Sequence, residues 1–328
     1  MIKQTPTYSM YGDIKLYAGT ASPELASQIS QYLGVPLSHQ DVQHFPNDNL
    51  WVRLQSSIRG QDVYVIQTTS RPVHRNLMEL LITLQTLRLD SAGRVTAVIP
   101  YLAYTRSDKK DKPRVPITAR LVCDMIEVAG ADRYMTLDLH AGQIQGFFSI
   151  PGDVISAFHI LQDQVKKRLP SMNNPVLVTA DLGFAKKGRN FAAGLDIPIA
   201  FVEKRRSGSK DQAEALTVIG DVKNRDVILI DDEVDTAGSI SQAAHLVKKH
   251  GANDISLVFV HPTFSNSAAK RLAESPISRI ITTNTIPIDP KDQALLKGKL
   301  RVCSIASLLG EVILRAHEGR SVGEMFNE

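Results

Sequence analysis

Short unbroken apolar runs alternate along the chain with stretches of helical spacing. Asp62 to Gln67, Val95 to Pro100, Tyr134 to Leu139, Val176 to Thr179, Ile197 to Val202, Val227 to Ile230 and Ile255 to Val260 are runs rich in β-branched residues. Such runs predict strands buried on both faces, as in a parallel sheet. Asp13 to Leu16 and the alternating Leu50 to Leu54 add two shorter strands. Between the runs, Ala21 to Leu33, Asn76 to Leu89, Ile117 to Val128, Asp153 to Arg168, Lys187 to Leu195 and Ser241 to His250 predict helices. In Asn76 to Leu89 the apolar stripe is Leu77, Leu80, Leu81, Leu84 and Leu87. Gly34, Gly130 and Gly251 stand where helices stop. Strands alternating with helices predict an α/β fold, a mostly parallel sheet flanked by helices.

The pattern runs twice. Arg59 to Gln67 matches Lys223 to Asp231, and each copy leads through a loop, a helix and a glycine to a strand ending in proline, at Pro100 and Pro262. The expectation is a duplicated α/β domain, divided as 1–152 and 153–304. The amphipathic tail Ile305 to Phe326, within 305–328, returns to pack on the first copy. The chain's 328 residues suffice for two such domains.

Composition narrows the function. Hydrophobic content of 43% is that of a soluble globular protein, and no apolar run approaches the ~20 residues of a membrane span. The N-terminal residues lack a signal peptide's apolar core. Cys123 and Cys303 lie far apart in apolar surroundings and read as core thiols, which fits a reducing cytoplasm. A net charge of only +4 argues against a nucleic acid polymer as partner. The positive charge is local, at Arg106 to Arg120 and Lys204 to Lys210, which suits a small anionic ligand.

The chemistry concentrates at Val227 to Ile240. A buried strand runs into Asp231 and Asp232, then into Asp235-Thr236-Ala237-Gly238-Ser239, then into a helix. Main-chain N–H groups at a helix start bind phosphate, and small side chains let it approach. Paired carboxylates accept hydrogen bonds from vicinal hydroxyls. The stretch therefore predicts a sugar phosphate site, the alternative being an ordinary strand-to-helix turn. It is neither a Walker A sequence nor a dinucleotide fingerprint. His140, after Asp138-Leu139, and Asp181 end two other predicted strands and could share Mg²⁺ with phosphate oxygens. Lys204-Arg205-Arg206 precedes Ser207-Gly208-Ser209-Lys210, a pattern predicting a mobile cationic flap. Such a flap suits phosphoryl-type transfer, where positioning and charge stabilisation dominate.

Ile230 to Ser239 resembles the phosphoribosyl pyrophosphate loop of type I phosphoribosyltransferases and of the ribose-phosphate pyrophosphokinases. The second family is favoured by Asn76 to Leu81, Val95 to Tyr101, Asp138 to His140, Gln143 to Phe148, Lys204 to Arg206 and Ile219 to Val222. The resemblance implies two tandem phosphoribosyltransferase-like domains and Mg²⁺-dependent transfer of pyrophosphate from ATP to the C1 hydroxyl of ribose 5-phosphate. It implies that Asp231 and Asp232 hold the ribose hydroxyls, while Asp235, Thr236, Ala237, Gly238 and Ser239 hold the phosphate. Lys204 and Arg206 would be catalytic, and His140 and Asp181 would touch the metal. Phe45, Asn47, Asp48, Asn49, Arg106 and Ser107 would contact ATP. A dimer-based hexamer, with phosphate and ADP as effectors, belongs to the same expectation. The chain departs from the family at Asn49, an amide in place of a carboxylate, and at Ser107, in place of a longer side chain. Both put nucleotide preference in question. A non-catalytic regulatory paralogue should have lost the flap cations, the metal histidine or the acidic pair, and this chain keeps all three.

Overall fold

The structure is a computed structural model describing residues 11–181, 183–205 and 215–325; for 204, 205, 215 and 216 it describes the backbone alone. In chain order the elements are β1 (Ile14–Ala18), α1 (Pro23–Leu33), β2 (Gln40–His44), β3 (Leu50–Leu54), β4 (Asp62–Ile66), α2 (Val73–Leu89), β5 (Arg94–Ile99), α3 (Thr118–Ala129), β6 (Arg133–Leu137) and β7 (Gly152–Ile155). There follow α4 (Phe158–Lys166), β8 (Val176–Thr179), α5 (Ala185–Ala193), β9 (Ile199–Arg205), β10 (Ala215–Ile219), β11 (Val227–Val234), α6 (Gly238–Lys249), β12 (Ile255–Pro262), α7 (Ala268–Glu274), β13 (Arg279–Thr283), α8 (Pro290–Leu295), β14 (Leu300–Cys303) and α9 (Ala306–Glu318). The chain forms two compact units, 1–155 with 305–328, and 156–304.

The first unit holds a sheet in the order β1-β4-β5-β6-β7, every pair parallel. An antiparallel hairpin, β2-β3, stands apart from it. Its core joins Val63 and Val65 of β4 to Leu77, Leu80, Leu84 and Leu87 of α2 and to Val122, Cys123 and Ile126 of α3. That α2 set is the leucine stripe expected from spacing. Helix α9 packs on α1. It is also tied to the sheet by a buried network. The Arg94 guanidinium meets Asp62 at 2.6 Å and donates to the Ala316 carbonyl, and His317 Nδ1 lies 2.8 Å from Asp62. Paired and multiply bonded, these charges meet the condition for burial. Gly319, left-handed at φ 69°, ends α9.

The second unit holds a sheet in the order β10-β9-β8-β11-β12-β13-β14, parallel except between β10 and β9. Strand β11 lies centrally, and β11 and β12 are buried almost throughout, which is why their sequences read as continuous apolar runs.

Three expectations change. The stretch Asp153 to Arg168 is not one helix: β7 pairs with β6, and α4 starts only at Phe158. Val154, Phe158, Leu161 and Val165 happen to fall at helical spacing, so a four-residue edge strand is in phase with the helix that follows. The segment after Val202 remains strand through Arg205, paired with β10, so Lys204 lies on a sheet edge hairpin rather than in a loop. The tail helix stops at Glu318, short of Phe326. Cys123 and Cys303 are free and buried, and burial pushes the Cys123 thiol up to about 12.

Candidate active site

In the second unit the chain goes from β8 to β9 on one side and later from β11 to β12 on the other. The carboxyl ends of β8 and β11 therefore form a topological switch point, the place where open α/β sheets bind ligands. Pairing between these two strands ends at Ile230 opposite Thr179. Beyond it β11 continues through Asp231, Asp232, Glu233 and Val234, paired only with β12. One edge of the overhang is left open, and Asp181 sits at the end of the neighbouring strand. Asp181 Oδ1 accepts from the Phe184 amide at 3.0 Å, which folds the loop after β8 back on itself.

The acids are under electrostatic load. Burial raises the Asp231 carboxyl well above its ordinary range, helped by the charge of Asp232, a hydrogen bond with it, and the charge of Asp181. The Asp232 amide donates to Asp231 Oδ1 at 2.9 Å, a smaller opposing effect. Carboxylates grouped closely enough to load one another can accept from hydroxyl donors or meet a cation.

The following turn is tighter than expected from sequence. Helix α6 begins at Gly238, not Ser241, so only Asp235, Thr236 and Ala237 connect strand to helix. Ala237 is left-handed at φ 58°, a conformation unusual for a residue with a side chain. Gly238 and Ser239 are then first-turn residues, whose N–H groups have no carbonyl one turn earlier to bond. A Cβ at Gly238 would meet only Thr236 Oγ1, at 3.6 Å. Internal packing does not require a glycine there, and its amide donates to Thr236 Oγ1 at 3.5 Å. Thr236 and Ser239 are exposed.

The turn is braced from outside, by residues sequence reading missed. The Phe264 amide donates to the Val234 carbonyl at 3.1 Å, the Ser265 amide to the Asp235 carbonyl at 3.0 Å, and Thr263 Oγ1 to the Val234 carbonyl at 2.8 Å. Arg271 of α7 donates to the Thr236 carbonyl. Buried His261 on β12 bonds Thr285 Oγ1 through Nδ1 at 3.0 Å, beside Glu233 in the ladder. Only strand register brings these residues together, and no local motif marks them.

The other candidates lie elsewhere. Phe45, Asn47, Asp48 and Asn49 form the exposed tip of the β2-β3 hairpin, closed by the Phe45 amide donating to the Asn49 carbonyl at 2.9 Å. Phe45 is 45% exposed, and an exposed aromatic side chain can stack on a flat ligand. Arg106 is exposed, and Ser107 holds the start of α3: its Oγ accepts from the Thr118 amide at 3.3 Å. His140 follows β6 in the first unit, whereas Asp181 belongs to the second. Lys204 is placed by its backbone on β9, and Arg206 lies outside the described residues. Among the described residues no group of three or more His, Cys, Asp or Glu could by itself hold a metal ion. No described helix is long and apolar enough to cross a membrane.

This architecture is that of two tandem phosphoribosyltransferase-like α/β domains. Residues 14–130 match the family model for the N-terminal domain of ribose phosphate pyrophosphokinase, and residues 207–327 match the phosphoribosyl synthetase-associated domain. The chain is 41% identical over 313 residues to ribose-phosphate pyrophosphokinase of Wolinella succinogenes, covering 95% of this chain and 98% of that one. To the enzyme of that name from Caldanaerobacter subterraneus subsp. tengcongensis it is 44% identical over 314 residues, covering 95% and 98%. A crystal structure of phosphoribosylpyrophosphate synthetase from Mycobacterium smegmatis superposes with a TM-score of 0.88 at 38% identity, covering 94% of this chain and 99% of that one. The chain belongs to the ribose-phosphate pyrophosphokinase family, and so to the kinase-type transferases of nucleotide biosynthesis.

Proposed function

We propose that this chain transfers pyrophosphate from ATP to the C1 hydroxyl of ribose 5-phosphate, giving phosphoribosyl pyrophosphate and AMP. The observation that carries the reading is the overhang of β11, where Asp231 and Asp232 follow its last pairing with β8 and the charges of Asp232 and Asp181 bear on Asp231, just before the helix start at Gly238. The ribose hydroxyls donate to Asp231 and Asp232. The 5-phosphate sits against the turn Asp235, Thr236, Ala237, Gly238 and Ser239, where helix-start amides supply donors and partial positive charge. The C1 oxygen attacks the β-phosphorus and gives up its proton to water, its new bond forms as the bond to the bridging oxygen of AMP breaks, and AMP leaves with that electron pair. Lys204 and Arg206 neutralise charge on the transferring group.

Mg²⁺ is part of this reading. The ion binds proteins through few carboxylates and keeps phosphate oxygens and waters as its other ligands. The described acids, crowded yet not a closed cage, fit that habit. In this proposal His140 and Asp181 would each offer the ion a contact, and it would supply charge neutralisation to the triphosphate.

For the nucleotide, Phe45 offers a stacking face, Asn47, Asp48 and Asn49 polar edges, and Arg106 a guanidinium. Ser107 contributes chiefly through the start of α3. The domain division 1–152 and 153–304, a cytoplasmic location, a dimer-based hexamer, and phosphate and ADP as effectors complete the proposal. An apolar groove on α2 and α3, lined by Leu81, Ile82, Met125 and Val128, supports assembly. Incubation with ribose 5-phosphate, Mg²⁺ and each nucleoside triphosphate in turn tests the reading. Phosphoribosyl pyrophosphate and AMP are expected from ATP, and absence of product with every nucleotide contradicts it.

A further inference from the structure

We infer that His74 and Arg75, consecutive residues in the first turn of α2, are positioning residues that bracket the two nucleotide segments. The inference rests on the nucleotide part of the proposed function. Arg75 Nε donates to His44 Nδ1 at 3.2 Å, and His44 directly precedes Phe45 at the hairpin tip. His74 Nδ1 lies 3.2 Å from the Tyr104 hydroxyl, with the rings 6.4 Å apart and tilted. The Tyr104 carbonyl accepts from the Ser107 amide at 2.9 Å, so this contact reaches the turn that carries Arg106 and Ser107. Two segments sixty residues apart in the chain are thus held by adjacent side chains of one helix. The base is rigid, since buried Asn76 donates to the Ser70 carbonyl at 2.8 Å and Leu77 and Leu80 enter the core.

Local helix chemistry does not explain these residues. A helix start favours acids, yet the first turn of α2 has none and carries His74 and Arg75 instead. An arginine nitrogen can only donate, so His44 Nδ1 is the acceptor of its bond with Arg75.

Steady-state kinetics on the full chain tests this. Arg75→Ala and His74→Phe should each raise the KM for ATP between about two- and tenfold, the loss of one hydrogen bond. The KM for ribose 5-phosphate and kcat should stay unchanged. His44→Asn, whose carboxamide oxygen can accept from Arg75, should stay closer to the wild-type KM for ATP than Arg75→Ala does. The bracket is overturned if Arg75→Ala leaves the KM for ATP unchanged or raises both KM values alike, or if His44→Asn raises the KM for ATP as much as Arg75→Ala. Phe45→Ala separates the layers: silence there as well as at Arg75 sinks the hairpin reading itself, whereas silence at Arg75 alone sinks only the bracket.

Discussion

The two units carry the same sheet core, β1-β4-β5-β6-β7 in one and β8-β11-β12-β13-β14 in the other, yet treat the end of the second strand in opposite ways. In the second unit the loop after β8 turns back on Asp181, and β11 runs past its last pairing with β8 into Asp231 and Asp232. In the first, the loop after β1 closes onto β4. Gln67 stands where the other unit has Asp231, and its Oε1 accepts from the Ala21 amide at 3.1 Å. Ser22 Oγ accepts from the Thr68 amide at 3.0 Å, and Glu79 accepts from the Thr20 amide at 2.7 Å. A Cβ at Gly19 would overlap Gln67 Oε1 at 2.1 Å. Gln67 Oε1, the Thr68 amide and the Glu79 carboxylate are thus taken up by the loop after β1. One architecture thus gives a filled joint or the proposed site according to whether the strand-end residue is a neutral amide bonded to the neighbouring loop or a carboxyl crowded by other acids.

Substitutions break or sharpen this contrast, from the largest effect down. Lys204→Ala should lower kcat by roughly 10²–10³-fold, the scale of losing one transition-state donor, while ribose 5-phosphate still binds. Equal loss of turnover and sugar binding in rapid-quench and equilibrium titration would speak against its role at the transferring group.

Asp231→Asn should weaken ribose 5-phosphate binding by about tenfold or more, as a charged hydrogen-bond acceptor is lost. It should also raise the melting temperature of the ligand-free protein. A carboxyl whose pKa is raised by folding binds more protons in the native state than in the unfolded chain. Its contribution is therefore full below the unfolded value, ~4, and lost as pH rises through the folded value. The asparagine does not titrate, so its advantage should be greatest at alkaline pH and vanish in acid. Calorimetric scans over pH read this, and a destabilised Asp231→Asn at alkaline pH would contradict the strained-acid account.

Gln67→Ala should do the reverse, costing about 1–3 kcal/mol of stability through the orphaned Ala21 amide with kcat/KM for ribose 5-phosphate unchanged. Denaturant midpoints and kinetics measured side by side check the pair. The smallest effect is expected at the hairpin tip, where Asn49→Glu should shift the ATP to GTP preference severalfold, one polar contact's worth. An unchanged ratio removes Asn49 from base recognition.

Sequence made most of this visible wherever burial was two-sided. β4, β5, β8, β11 and β12 read as apolar runs because parallel strands under helices leave no polar face. β2, with Gln40, Asp41, Gln43 and His44, did not, since it is a half-exposed hairpin strand whose polar residues meet solvent. β14 has two exposed residues in four, and β7 fell in phase with a helix. At the site, the paired acids and the small-residue turn were legible because their chemistry is local. What was not legible was the geometry that gives them meaning: the overhang of β11 past Thr179, the left-handed Ala237, and the bracing from Thr263 to Ser265. These depend on register between strands distant in sequence, and residue type carries no trace of register until the sheet is assembled.

The most direct test of the contrast is a crystal soaked with ribose 5-phosphate. The account predicts its phosphate on the main-chain amides of residues 236–239 and its hydroxyls on Asp231 and Asp232, with the end of β4 near Gln67 empty. The sugar phosphate lodged at Gln67, or anywhere remote from residues 231–239, would contradict it.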